Sequence, residues 1–242
     1  MPQIDRIVLF RMTMITGNKT PSYGVISHYL GDAGRKYFAW QGEDGVTQAL
    51  YNKHLWQPYI TTADDVLDFG CGGGFLLKVL DANRKAGVEV NPHARENARR
   101  LGIDTSESIA EVAGTFDKVI SSHALEHVPH PRQAVLELKE KLKDQQSRLI
   151  LLLPLDDWRA TMNRQYRPND VHMHLQTWTP QLLGNLLTSC GLRVDEARVI
   201  NHAWPPKRQL LWRLSPALFH AAALGWSIYN KQRQLFAVAG LQ

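Results

Sequence analysis

The stretch from Val66 to Leu80, VLDFGCGGGFLLKVL, constrains this chain more than any other. An apolar run reaches Asp68, passes through Gly70, Gly72, Gly73 and Gly74, and goes over into apolar residues at helical spacing. That pattern predicts a strand, a tight turn and a helix. Glycine lets the backbone turn sharply and approach a ligand closely, while the helix behind it offers unpaired N–H groups at the positive end of its dipole. A polar or charged small molecule is expected there. Glycine-rich turns also serve ordinary loops, so the rest of the chain has to decide.

Beyond the turn, strands alternate with helices. Ala86 to Val90 predicts a second strand that ends in an acid, and Glu89 stands where a strand-end carboxylate meets the ribose hydroxyls of a nucleotide. Pro92 opens the next helix and Gly102 closes it. A third strand is expected near Ile103 to Thr105, with Ser106 and Glu107 at its edge, either beside a base or capping the next helix. Phe116 to Pro129 joins a buried strand to a polar loop, and since open parallel sheets bind ligands at their carboxyl ends, Ser121 through His127 should face the cleft of the glycine turn. Leu149 to Pro154 reads as a central parallel strand, and Leu192 to Ile200 with Gln234 to Leu241 as two closing strands.

Flanking segments are less regular. Gly17 to Gly34 predicts irregular structure, and Tyr37 to Gln41 either packs against a helix from Val46 to Pro58 or closes over a bound cofactor. Asp156 to His174 is polar and of a length at which loops usually have a function; it holds Trp158, Arg159, Tyr166, Arg167, His172 and His174. No metal is expected at the two histidines, which have no evident carboxylate partner in the sequence. Pro205 to Asn230 is apolar with basic margins, and its run from Leu214 to Tyr229 is too short to span a membrane. It suits a lid, an interfacial helix, a dimer contact or a core addition.

The net charge of +5 is scattered along the chain, which favours a small anionic partner over nucleic acid. Two cysteines, one inside the glycine turn, fit a reducing cytoplasm, and no secretory signal pattern is expected at the start.

In this order the elements resemble the class I S-adenosylmethionine-dependent methyltransferases, and most closely the small-molecule branch with the ubiquinone-biosynthesis O-methyltransferases and the methyltransferases of glycan and secondary-metabolite clusters. Four stretches carry the resemblance: Asp68 to Gly74, Gly87 to Asn91, His123 to Pro129, and Trp178-Thr179-Pro180 through Gly191. It implies an α/β, Rossmann-like seven-stranded sheet with helices on both faces, in the order 3-2-1-4-5-7-6 with strand 7 antiparallel. Residues 1–36 would form an extension, and 37–242 a methyltransferase domain with a helical insertion at about 205–230 between the last two strands. The implied cofactor is S-adenosyl-L-methionine, held by Asp68, Gly70, Gly72 and Gly74 at the methionyl part and by Glu89 at the ribose, with Cys71 and Asn91 also among its contacts. Ser106 would border the adenine, with Ser121 and Ser122 facing the sulfonium.

Methyl transfer from a sulfonium needs alignment and exclusion of water, and a hydroxyl acceptor needs a base. His123 and His127 are the candidates, His127 being also suited to holding the loop. The expected acceptor is a small molecule, apolar, ring-bearing, lipid or glycan, without nucleic acid. Peripheral membrane or homodimer contact through 205–230 fits the same reading. Two alternatives remain, a binding protein that has lost the chemistry and a nicotinamide-dependent oxidoreductase.

Overall fold

A computed structural model describes residues 21–42, 45–155, 166, 170 and 172–242. The strands are β1 (Val66–Phe69), β2 (Lys85–Val88), β3 (Asp104–Ser106), β4 (Lys118–Ser122), β5 (Arg148–Pro154), β6 (Leu192–Asn201) and β7 (Arg233–Leu241). They form one sheet in the order β3-β2-β1-β4-β5-β7-β6. β1 to β5 run parallel, and β7 runs antiparallel to both neighbours. The strand order reverses between β1 and β4, which opens a crevice at their carboxyl ends.

The sheet is covered on both faces, as its continuous apolar strands require. Successive side chains of β5 point to opposite sides. Leu149, Leu151 and Leu153 join Val135 and Leu138 of α5 (Pro131–Lys139) and Leu183 and Leu187 of α6 (Pro180–Ser189). Ile150 and Leu152 meet Trp56 of α2 (Gly45–Trp56), Leu77 of α3 (Phe75–Val79) and Ala98 of α4 (Pro92–Arg100).

Between β6 and β7 lie α7 (Arg208–Leu214) and α8 (Pro216–Tyr229). They rest on α2 through a small cluster of Tyr51, Phe219 and Ala223, with the Tyr51 and Phe219 rings stacked 4.5 Å apart. Their other face is bare: Leu210, Leu214, Leu218, Leu224 and Ile228 are all exposed. Among the described residues no helix is long and apolar enough to cross a membrane.

The N-terminal segment departs from the expectation of irregular structure through Gly34. A single 3₁₀ turn at Ser27–Tyr29 leads into α1 (Gly31–Gly42), and Tyr37 lies within that helix rather than ahead of the next one. The sequence of α1 has little apolar periodicity to announce it. Its place is set from outside, where the Asn91 side chain donates 2.8 Å to the Gly34 carbonyl. The expectations for residues 1–20, Trp158, Arg159 and Arg167 lie outside the described residues.

Candidate functional site

The glycine turn folds back over the tip of β2. Gly70 and Cys71 both donate their N–H to the Val88 carbonyl, at 2.8 and 3.1 Å. Gly70, Gly72 and Gly74 have φ of +76°, +53° and +77°, a region that side chains with a Cβ rarely enter. At Gly70 the space is closed as well, since a Cβ there would lie 2.3 Å from that of Ala124.

Glu89, just past β2, fastens this turn. Its carboxylate accepts the N–H of Gly72 at 2.9 Å and that of Asn91 at 2.8 Å. Burial pushes its pKa up, and the two N–H groups oppose that rise. Asn91 caps α4 by accepting the His93 N–H while its amide holds α1. Asp68, buried in β1, has an Oδ1 with no hydrogen-bond partner among the described residues. Burial, and then the charge of Glu89, pushes its pKa up to about 8. An unanswered buried acceptor beneath a bare-backbone turn suits a ligand with a cationic amino group, as the methionyl end of the implied cofactor has.

An open cleft lies at these strand tips. Gly70, Glu89, Asn91, His123 and His127 line it, and Tyr29 and Tyr37 bring in the N-terminal segment. The remaining expected contacts support the cleft from behind. Cys71 turns its thiol into the core, donating weakly to the Gly72 carbonyl, and burial raises its pKa. Ser121 is fully buried and donates 2.9 Å to the Phe69 carbonyl, tying β4 to β1. Ser122 pairs with Leu152 in the sheet, and the Ser106 carbonyl accepts the Glu89 N–H. Glu107 is paired with Arg95 at 2.9 Å.

The loop after β4 gathers the titratable groups. His123 has φ +53°, unusual for a residue with a Cβ, and its N–H donates to the Leu152 carbonyl. Its Nε2 is 3.2 Å from Gln234 Oε1 and its Nδ1 3.5 Å from Glu126 Oε1. His127 Nδ1 is 2.7 Å from the Tyr29 hydroxyl, and burial lowers its pKa. The side chain of Glu126 is fully buried. Besides His123, His127 Nε2 and His174 Nε2 stand 3.7 and 4.0 Å from its Oε1. Those are ion-pair separations, and neither carboxylate oxygen has a hydrogen-bond partner among the described residues. Burial alone would raise the Glu126 pKa, but the surrounding histidines outweigh it and hold the group below its usual range.

Sequence reasoning missed one residue of this cluster and one pairing within it. Tyr29 lies in a segment read as irregular, where the aromatic-bearing run PSYGVISHYL was the available signal. Glu126 and His174 were not paired, since they stand far apart in the chain and no local pattern links them. The fold brings the carboxylate to the histidine: Leu175 and Gln176 both donate their N–H to the Glu126 carbonyl, which sets the late loop against the β4 loop.

Comparison with known proteins accords with this geometry. A family model described as Methyltransferase domain matches residues 32–197. The ubiquinone biosynthesis O-methyltransferase of Dinoroseobacter shibae is 28% identical over 174 residues, covering 63% of this chain and 69% of that one. The ribosomal protein L11 methyltransferase of Thermotoga maritima is 36% identical over 105 residues, and the chain spans only 38% of its length and matches over 38% of its own. Among solved structures, the plantazolicin methyltransferase BamL, in complex with a triazolic desmethylPZN analog and SAH, superposes with TM-score 0.58 at 15% identity, over 89% of this chain and 93% of that one. An S-adenosylmethionine-dependent methyltransferase from Thermotoga maritima does so with TM-score 0.55 at 18% identity, over 71% and 82%. With the match to the family model and this sheet topology, the chain belongs to the methyltransferase-domain family and has the fold of the class I S-adenosylmethionine-dependent methyltransferases.

Proposed function

We propose that this chain transfers a methyl group from S-adenosylmethionine to an oxygen nucleophile on a small acceptor that is apolar, ring-bearing, lipid or glycan. One observation carries the reading: a single cleft is lined by Glu89, by Gly70 of the glycine turn and by His123. Asp68 and the main chain of Gly70, Cys71, Gly72 and Gly74 would hold the methionyl part, and Glu89 with Asn91 the ribose. Ser106 would border the adenine, while Ser121 and Ser122 keep the strand tips in place beneath the sulfonium. The cofactor supplies an electrophilic methyl and a good leaving group, so the chain has to align, exclude water and take up a proton.

Tyr29, Tyr37, Ile26 and Val128 make the cleft's apolar wall, which suits a ring or an alkyl chain. His123 takes the hydroxyl proton at Nε2 once the acceptor displaces Gln234, whose Oε1 stands 3.2 Å from that nitrogen, and the buried Glu126 carboxylate beside Nδ1 stabilises the imidazolium that results. Replacing His123 by alanine is expected to slow transfer by about 10²- to 10⁴-fold while S-adenosylhomocysteine affinity stays within a few-fold. Turnover of labelled cofactor with phenolic, sugar and lipid acceptors, beside calorimetry with S-adenosylhomocysteine and NAD, tests the whole reading. Binding of NAD instead, or tight binding with no turnover on any acceptor, overturns it.

An apolar acceptor also suits contact with a membrane surface through the bare face of α7 and α8. Lys207, Arg208, Arg213, Lys231 and Arg233 border that face, and no acidic residue follows Glu196. Co-sedimentation with anionic but not neutral vesicles is expected; a chain that stays in the supernatant with both, or dimerises in their absence, removes the membrane contact.

A further inference from the structure

We propose that Glu126, His127 and His174 bind one divalent transition-metal ion, with zinc the best fit, at the border of the cleft. Their ligand atoms all lie within 4.8 Å of one another. Two imidazoles and one carboxylate with a further position open are a donor set that suits a Lewis-acidic ion. Bond lengths of about 2.0–2.1 Å put tetrahedral ligand atoms about 3.3 Å apart. The 3.7 and 4.0 Å found between Glu126 Oε1 and the two Nε2 atoms exceed that by less than about 1 Å, a gap the side chains would close on binding.

A second observation points to a ligand independently of the cluster. The Glu126 side chain is 0% exposed, and neither of its oxygens has a hydrogen-bond donor among the described residues. His123, His127 and His174 stand at 3.5, 3.7 and 4.0 Å from Oε1, beyond good hydrogen-bond length, so they compensate the buried carboxylate only in part, and a bound cation would complete that compensation. The periphery also matches. His127 directs Nδ1 to the Tyr29 hydroxyl at 2.7 Å and towards the Met173 carbonyl at 3.4 Å, which fixes the ring and leaves Nε2 for the ion. His127 lines the cleft, which sets the site at its border. An acceptor oxygen that reached the ion would have its proton affinity lowered, and the ion would then replace the Glu126 to His123 pairing as the means of removing the proton. This use of the ion rests on the O-methyl transfer proposed above; the binding itself does not.

The test uses the full chain, loaded with zinc, freed of excess by gel filtration and assayed for metal by mass spectrometry, with cobalt titration followed by visible absorption. About one ion per chain and the intense bands of low-coordinate cobalt are expected. Glu126→Gln and His174→Ala should lose the ion, and Tyr29→Phe should weaken it about 10- to 100-fold. Metal well below one per chain in the unaltered protein, or undiminished in Glu126→Gln, overturns the site and leaves a histidine cage around a carboxylate. Should either variant fail to fold, the cobalt spectrum of the unaltered chain decides. S-adenosylhomocysteine calorimetry on the same samples separates the two proposals, because lost cofactor binding with metal retained sinks only the methyl-transfer reading.

Discussion

Gly70→Ala is expected to destabilise the fold by about 2–5 kcal/mol and to abolish measurable binding of S-adenosylhomocysteine. Two costs add at this position. The left-handed backbone, φ +76°, costs a residue with a Cβ about 1–2 kcal/mol. The new Cβ would also stand 2.3 Å from that of Ala124, which has no flexible end to swing aside, so the backbone must shift at about 1–3 kcal/mol more. That shift moves the turn away from Val88 and His123 away from the cleft. Gly102→Ala is the control, with φ +83° and nothing within 4 Å of its Cβ, so it carries the backbone cost alone. Urea denaturation of both variants, with calorimetry on each, separates the terms. If the two variants are equally stable and both bind, the turn does not hold the geometry described.

Glu89→Gln is expected to weaken S-adenosylhomocysteine binding by about 10²- to 10³-fold, or about 3–4 kcal/mol. Glu89 accepts two backbone N–H groups, one with each oxygen. Glutamine keeps one acceptor and turns an NH₂ against the other N–H, while hydrogen bonds to a charged group are each worth about 1.5–3 kcal/mol. The Gly72 turn and the Asn91 cap then lose their common anchor, and the ribose contact loses its charge. Glu107→Gln is the comparison. That carboxylate pairs with Arg95 and is partly exposed, so its loss should cost under about 1 kcal/mol. Equal losses would move the nucleoside end of the cofactor to β3.

The parts of this protein that were legible in advance share a physical character. Asp68 to Gly74 gave its turn away because positive φ selects glycine, and Leu149 to Pro154 gave its burial away because a strand covered on both faces must be apolar throughout. The cleft came from the topology those elements imply, and Gly70, Glu89, Asn91, His123 and His127, expected at it from the strand ends and the family resemblance, all line it. Cys71 and Ser121 were expected beside the cofactor; in the fold the thiol of the first packs into the core and the hydroxyl of the second ties β4 to β1. Side-chain direction at a strand end depends on which neighbour comes alongside, and the local sequence does not carry that.

The sequence by itself determined the alternation of strands and helices, the glycine turn and the acid beyond it, because each is a local response of the backbone to residue type. Only the tertiary structure decided that Tyr29 reaches His127, that Asn91 holds Gly34, and that Glu126 comes to lie among His123, His127 and His174. These partners come from separate loops and turns, and the sheet order is what brings them together. No periodicity records such a meeting, because its energy comes from burial and charge shared between segments that are neighbours only once the chain has closed.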